Sequence, residues 1–139
     1  MSNNRVNFNG SVILLILGTL LLIESFFLFL SAGVSLWYNG NDLSAFIISG
    51  SVTFVFGAIA YWTNKKTNKT FGKREGFLIV SLVWIIFSIF GCLPFVISGE
   101  IPSFTDAFFE TISGFTTTGA SILNDIESMS HGLLFWRSL

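Results

Sequence analysis

The sequence predicts an all-α integral membrane protein with three transmembrane helices, a shorter re-entrant helix and the start of a further helix. Three observations carry this. Hydrophobic residues make up 52% of the 139-residue chain and charged residues only 11%, about half the charge of a typical soluble domain. The mean hydropathy is +0.74. The apolar residues, 17 Phe among them, lie in long runs almost free of charge, which is how bilayer-spanning segments read.

The first run is Ser11 to Tyr38, with Glu24 as its single ionisable group. At roughly 1.5 Å per residue it exceeds a hydrocarbon core of roughly 30 Å, so it tilts or extends beyond it. It is too long for a cleavable signal peptide and no small-residue cleavage site closes it. Trp37 and Tyr38 end it as interface anchors, and Asn39-Gly40-Asn41-Asp42 is turn chemistry. The second run, Leu43 to Trp62, is uncharged and again ends on aromatics, Tyr61 and Trp62. Gly50 and Gly57 share one of its faces, where small residues let helices approach. The third run, Phe77 to Ile97, is also uncharged, and Pro94 is placed to kink or end it.

Charge placement sets the topology. Five of the seven Lys and Arg (Lys65, Lys66, Lys69, Lys73 and Arg74) lie between the second and third runs. That loop is therefore expected on the cytoplasmic side. Arg5 falls on the same side after two crossings. Asp42, Glu100, Asp106, Glu110, Asp125 and Glu127 fall opposite. The expected organisation is a cytoplasmic N-terminus at 1–10, two peripheral transmembrane helices at 11–62, a basic cytoplasmic loop at 63–76, and a helix–loop–helix unit at 77–139, incomplete at its C-terminus.

Residues 98–137 contain no 20-residue apolar run. After Pro102, Ser103 or Thr105 can cap a helix and Asp106 suits its positive N-terminus. About ten residues follow before Gly114, a natural stop, and reach roughly 15 Å, half a bilayer. Thr116-Thr117-Thr118-Gly119 cannot continue a helix for long. Irregular backbone at membrane depth survives only where it is buried in protein or lines a wet cavity. A half-helix from the acidic side followed by a Thr/Gly loop has the architecture of a cation filter. Backbone carbonyls replace the ion's water there, and glycine allows unusual backbone angles.

The stretch Asp106 to Ser121, DAFFETISGFTTTGAS, resembles the first pore loop of the Trk/Ktr/HKT superfamily of potassium transporters, closest to the bacterial Trk membrane subunit. Arg74 to Val80 (REGFLIV), Leu93-Pro94-Phe95 and Leu134-Phe135-Trp136-Arg137 resemble the same family's flanking helices, in register from about Lys73 to Leu139. The two earlier spans fit the family in number and topology only. The resemblance implies potassium, or monovalent-cation, transport through four helix–pore-loop–helix units. Thr116, Thr117, Thr118 and Gly119 would then supply filter carbonyls, with Asp106 and Glu110 at a negative vestibule. It also implies a homodimer in the cell inner (plasma) membrane and a cytosolic nucleotide-binding regulatory subunit. The chain is expected to be an N-terminal fragment with one filter strand of four. The alternative is a non-conducting truncated subunit that assembles with, or regulates, a full-length transporter.

Other residues suggest plainer roles. Asp106 and Glu110 share a helix face, where helix-start stabilisation and a buried hydrogen bond compete with the vestibule role. Glu24 suits a structural hydrogen bond or a protonated acid. Arg137 is open between a filter contact and an interface anchor. The basic loop has topology as its simplest role, with anionic lipid as the alternative. One Cys (Cys92) and one His (His131) allow neither an intrachain disulfide nor a Cys/His metal cluster. No catalytic constellation, cofactor motif or nucleic-acid motif is expected.

Overall fold

In a lipid environment every backbone donor and acceptor must be satisfied within the chain, and helices do this locally. The computed structural model describes residues 10–66, 73–123 and 128–139, and side chains at 73–75 are outside it. The expectations for Arg5, Lys69, Lys73, Arg74, Asp125 and Glu127 therefore fall outside what is described. The described residues form helices and connecting turns, with no strand among them. The order is α1 (Gly10–Trp37), α2 (Leu43–Asn64), α3 (Lys73–Gly91), α4 (Leu93–Ser98), α5 (Phe104–Phe115) and α6 (His131–Ser138).

Three helical stretches are long and apolar enough to cross a membrane: Gly10–Trp37, Leu43–Asn64 and Gly76–Ser98. They coincide with the three expected spans. Hydroxyl groups inside them bond the carbonyl one turn back: Thr19 to Leu15, Ser31 to Phe27, Ser49 to Ala45, Thr53 to Ser49, and Ser88 to Trp84. Ser31, Ser49, Thr53 and Ser88 are thus fully enclosed without an orphan polar atom.

The tightest pairing joins α1 to α2, and glycine sets its spacing. A Cβ on Gly18 would lie 2.7 Å from the Tyr61 backbone N and 2.9 Å from the Gly57 O. One on Gly57 would lie 3.1 Å from the Gly18 O. The backbones touch where both side chains are absent. Gly57 thus serves close approach, as its spacing suggests, whereas Gly50 makes room for the ring of Phe29, which a Cβ there would meet at 3.0 Å. The α1–α2 turn follows Asn39 at φ 51.

Pro94 interrupts the third span. It has no N–H, and its ring crowds the carbonyl one turn back. The helix breaks at Cys92, and the Phe95 N–H bonds the Cys92 C=O at 3.1 Å instead of reaching back four residues. The Gly91 carbonyl is released by this shift and accepts the Trp136 indole N–H at 2.9 Å. Gly99, at φ 79, then closes α4, and the Ile101 N–H returns to the Phe95 O at 3.2 Å.

The main core draws on five helices. Leu28, Phe46, Phe95, Ala107, Leu133 and Trp136 are all buried in one cluster. It takes in one face of α5, through Ala107, and one face of α6, through Leu133 and Trp136. A smaller cluster of Ile13, Leu17 and Ile79 joins α1 to α3 at the other end.

Candidate functional site

Helix α5 begins as its sequence suggests. Ser103 is the N-cap in extended conformation, its Oγ accepts the Asp106 N–H at 3.4 Å, and its carbonyl receives the Ala107 N–H at 2.9 Å. Asp106 is exposed in this first turn, where its charge complements the helix dipole. The helix runs 12 residues, roughly 18 Å.

Beyond Phe115 the backbone unwinds stepwise. The Thr116 N–H bonds the Ile112 O, the Thr117 N–H the Gly114 O and the Thr118 N–H the Ser113 O, each at 3.0 Å. Thr117 sits at φ 54 and Gly119 at φ 72. A β-branched residue in the left-handed region is a strained feature that the surroundings must hold. The Thr116 and Thr118 hydroxyls hydrogen-bond one another at 2.8 Å across it, and the Thr116 Oγ1 also donates to the Ile112 O at 2.7 Å. Thr116 through Ser121 are exposed.

The foot of the loop is fastened at three points. The Ser113 Oγ donates to the Ala120 O at 2.6 Å. The Glu110 carboxylate accepts the Ser121 hydroxyl at 2.9 and 3.1 Å and the Ile122 N–H at 3.2 Å. Arg137 of α6 donates its Nε–H to the Glu110 Oε1 at 2.6 Å. Glu110 is enclosed, whereas the Arg137 side chain is 24% exposed. One carboxylate thus ties α5, the far side of the Thr/Gly loop and α6 together. Glu110, Ser113, Thr117, Gly119 and Arg137 line a cleft of about 220 Å³ beside the loop.

A second carboxylate holds α6 at its other end. Asp42, in the α1–α2 turn and 1% exposed, accepts the Ser130 hydroxyl at 2.7 Å and the Leu133 N–H at 3.1 Å on Oδ2. Its Oδ1 accepts the Ser35 hydroxyl. Glu100 accepts the Ser130 N–H at 3.2 and 3.3 Å. These acceptors satisfy helix-start donors that α6 cannot satisfy itself. His131 stacks on Tyr38 with centroids 4.4 Å apart.

Of the residues singled out from sequence, Thr116 to Gly119 form the exposed loop, Ser103 caps the helix leading to it with Asp106 in its first turn, and Glu110 turns inward. Sequence left Arg137 open between two roles, and the structure brings it to Glu110. Ser113, Ser121 and Asp42 were not singled out as anchors. Their partners lie 7, 11 and up to 91 positions away, and no local spacing rule reports such pairings.

Comparisons with known proteins agree with this geometry. Residues 42–139 match the family described as TrkH, cation transport protein. The chain is 40% identical over 126 residues to the Trk system potassium uptake protein TrkH of Salmonella typhimurium, covering 89% of this chain and 26% of that one. It is 38% identical over 106 residues to the Trk system potassium uptake protein TrkG of Escherichia coli, covering 76% and 22%. The solved structure of the potassium transporter TrkH from Vibrio parahaemolyticus superposes with a TM-score of 0.86 at 34% identity, over 94% of this chain and 28% of that one. The chain therefore spans about a quarter of the length of these relatives. With the family match running from the Asp42 turn through the Thr/Gly loop to Arg137, and the helices superposing on a solved relative, this integral membrane protein belongs to the TrkH family of cation transport proteins.

Proposed function

We propose that this chain carries the first pore-loop unit of a potassium, or monovalent-cation, transporter and supplies one filter strand of a four-unit pore. The observation that carries the reading is the loop after α5. Its backbone is left-handed at every second position, Thr117 and Gly119. Such alternation turns successive peptide planes so that carbonyls gather on one side, where they can stand in for an ion's hydration shell. The carbonyls of Thr116, Thr117, Thr118 and Gly119 are the ligands, and α5 is the re-entrant helix whose negative end faces the ion. Asp106 is the acidic group of the outer mouth, and Glu110 braces the loop from behind.

In this reading the unit occupies 77–139 and α1–α2 are peripheral. The Lys-rich 63–76 side and the N-terminus face the cytoplasm across the inner membrane. The complete assembly is a homodimer served by a cytosolic nucleotide-binding subunit. Support for the topology comes from the acidic groups Asp42 and Glu100, which meet at one end of the bundle around Ser130.

The test replaces the matching segment of Salmonella typhimurium TrkH with this chain and measures rubidium uptake in cells lacking their own potassium uptake systems. Uptake by the chimera, lost in Gly119→Arg, is the expected result. A Gly119→Arg chimera that reaches the membrane and transports with unchanged selectivity refutes the filter assignment. The 139-residue chain is run alone in parallel, and uptake by it would mean that copies assemble a pore among themselves.

A further inference from the structure

Four consecutive carbonyls in the loop after α5, those of Thr116, Thr117, Thr118 and Gly119, receive no hydrogen bond from any described residue. The next three residues are all tied back to α5. The Ala120 carbonyl accepts the Ser113 hydroxyl at 2.6 Å, and the Ser121 hydroxyl and the Ile122 N–H donate to Glu110. The boundary between free and committed backbone falls between Gly119 and Ala120.

Ser113 makes that boundary. Neighbouring hydroxyls turn back on their own helix: Thr111 donates to the Ala107 carbonyl and Thr116 to the Ile112 carbonyl, each at 2.7 Å. Ser113 instead reaches across seven positions to the loop. Its own carbonyl accepts the Thr118 N–H at 3.0 Å. One residue thus grips the strand on both sides of Gly119, through the N–H before it and the carbonyl after it. Ser113 is 5% exposed, so its bond draws the Ala120 oxygen into the protein. Crowding does not explain Gly119, since a Cβ built there would meet nothing within 4 Å. Its φ of 72 is what calls for glycine, and that angle turns the chain between the two Ser113 contacts.

We infer that Ser113 is a positioning residue that ends the ion-coordinating run at Gly119, by holding the Ala120 carbonyl in toward α5. This rests on the filter reading of the loop. How well a carbonyl filter holds an ion depends on how many carbonyls face it and how freely they move. Without the Ser113 hydroxyl the turn at Gly119 keeps one tie of two, the Ala120 carbonyl is released, and ion binding weakens.

The test has two arms. Ala120-Ser121 is the only Ala–Ser step in the chain, so carbonyl-labelled alanine with nitrogen-labelled serine gives a single NMR correlation that reports the Ala120 carbonyl. In the full 139-residue chain in detergent, Ser113→Ala should move this carbonyl signal upfield, as loss of a donor does. Ser113→Thr, which keeps the hydroxyl, should hold it in place. An unmoved signal in Ser113→Ala overturns the inference. The second arm carries both substitutions into the Salmonella typhimurium TrkH chimera and reads rubidium uptake. Ser113→Ala should raise KM roughly five- to tenfold, the scale of one lost hydrogen bond, and Ser113→Thr should keep the parent value. A serine that only stabilised the fold would change the maximal rate and leave KM alone. An unchanged KM for Ser113→Ala, in a chimera that Gly119→Arg silences, overturns this inference and leaves the filter reading standing. A chimera indifferent to Gly119→Arg overturns the filter reading and this inference with it.

Discussion

Breaking the Glu110–Arg137 pair from its two sides should have unequal consequences. Arg137→Gln leaves Glu110, whose side chain is 1% exposed, without its cation. Removing one member of a buried pair costs roughly 3–5 kcal/mol when the other stays charged and enclosed. The Ser121 hydroxyl and the Ile122 N–H remain as donors, which places the loss near the lower end, about 3 kcal/mol. Glu110→Gln leaves Arg137 instead, and at 24% exposure it can turn toward water. The new amide oxygen can still accept from Ser121 and Ile122, so the charge-assisted bond to Arg137 is the one lost, about 2 kcal/mol. The double variant should cost less than the sum of the two, since it strands no charge. The assay is reversible unfolding in mixed micelles of increasing SDS fraction, followed by Trp fluorescence, on the parent and three variants. Equal losses for the two single variants, or a larger one for Glu110→Gln, would refute the reasoning that enclosure decides the cost.

Three further outcomes are expected. Asp42→Ala removes an acceptor shared by Ser35, Ser130 and Leu133; amide exchange over α6 should accelerate while α2 stays protected, at a cost of about 2–3 kcal/mol. Gly18→Val drives a side chain onto the Tyr61 backbone, so α1 and α2 should separate and the chain lose about 1–3 kcal/mol or more, read by SDS unfolding and by loss of disulfide cross-linking between cysteines placed across the pair. Trp136→Phe keeps the ring but orphans the Gly91 carbonyl, and a loss of about 1–3 kcal/mol should appear as an earlier thermal transition in detergent. Loss no greater than that of an exposed Trp62→Phe control would show that the carbonyl finds another donor.

The helices were legible because their signals are local. Long apolar runs ended by aromatics gave α1 and α2, Pro94 announced the break in the third span, and Ser103 with Asp106 marked the start of α5. The Thr/Gly loop was visible because β-branched residues beside a glycine cannot prolong a helix. Its fastening was not. Glu110 reads equally well as a vestibule charge or an internal brace until Ser121, Ile122 and Arg137 are placed around it. Asp42 reads as an ordinary turn residue, because what distinguishes it is a helix start about ninety positions later. The Gly18–Gly57 contact was half visible: spacing within α2 suggested Gly57, but its partner depends on how two helices cross.

The long reach of Asp42 also bears on the order in which the chain assembles. α1 and α2 are neighbours in sequence, so their hairpin closes cheaply and early. At that stage the Asp42 Oδ2 acceptor is already formed but has nothing to receive, because Ser130 and Leu133 lie 88 and 91 residues downstream. The closure entropy of so long a loop grows only slowly with its length, and here it is met by several contacts arriving together. α6 therefore docks onto a receptor built in advance, and its first turn is secured only after the ribosome has delivered the whole Thr/Gly loop. The brace between Arg137 and Glu110 belongs to the same step, so the loop is held first by its local bonds to Ser113 and Glu110 and gains its tie to α6 only when that helix docks.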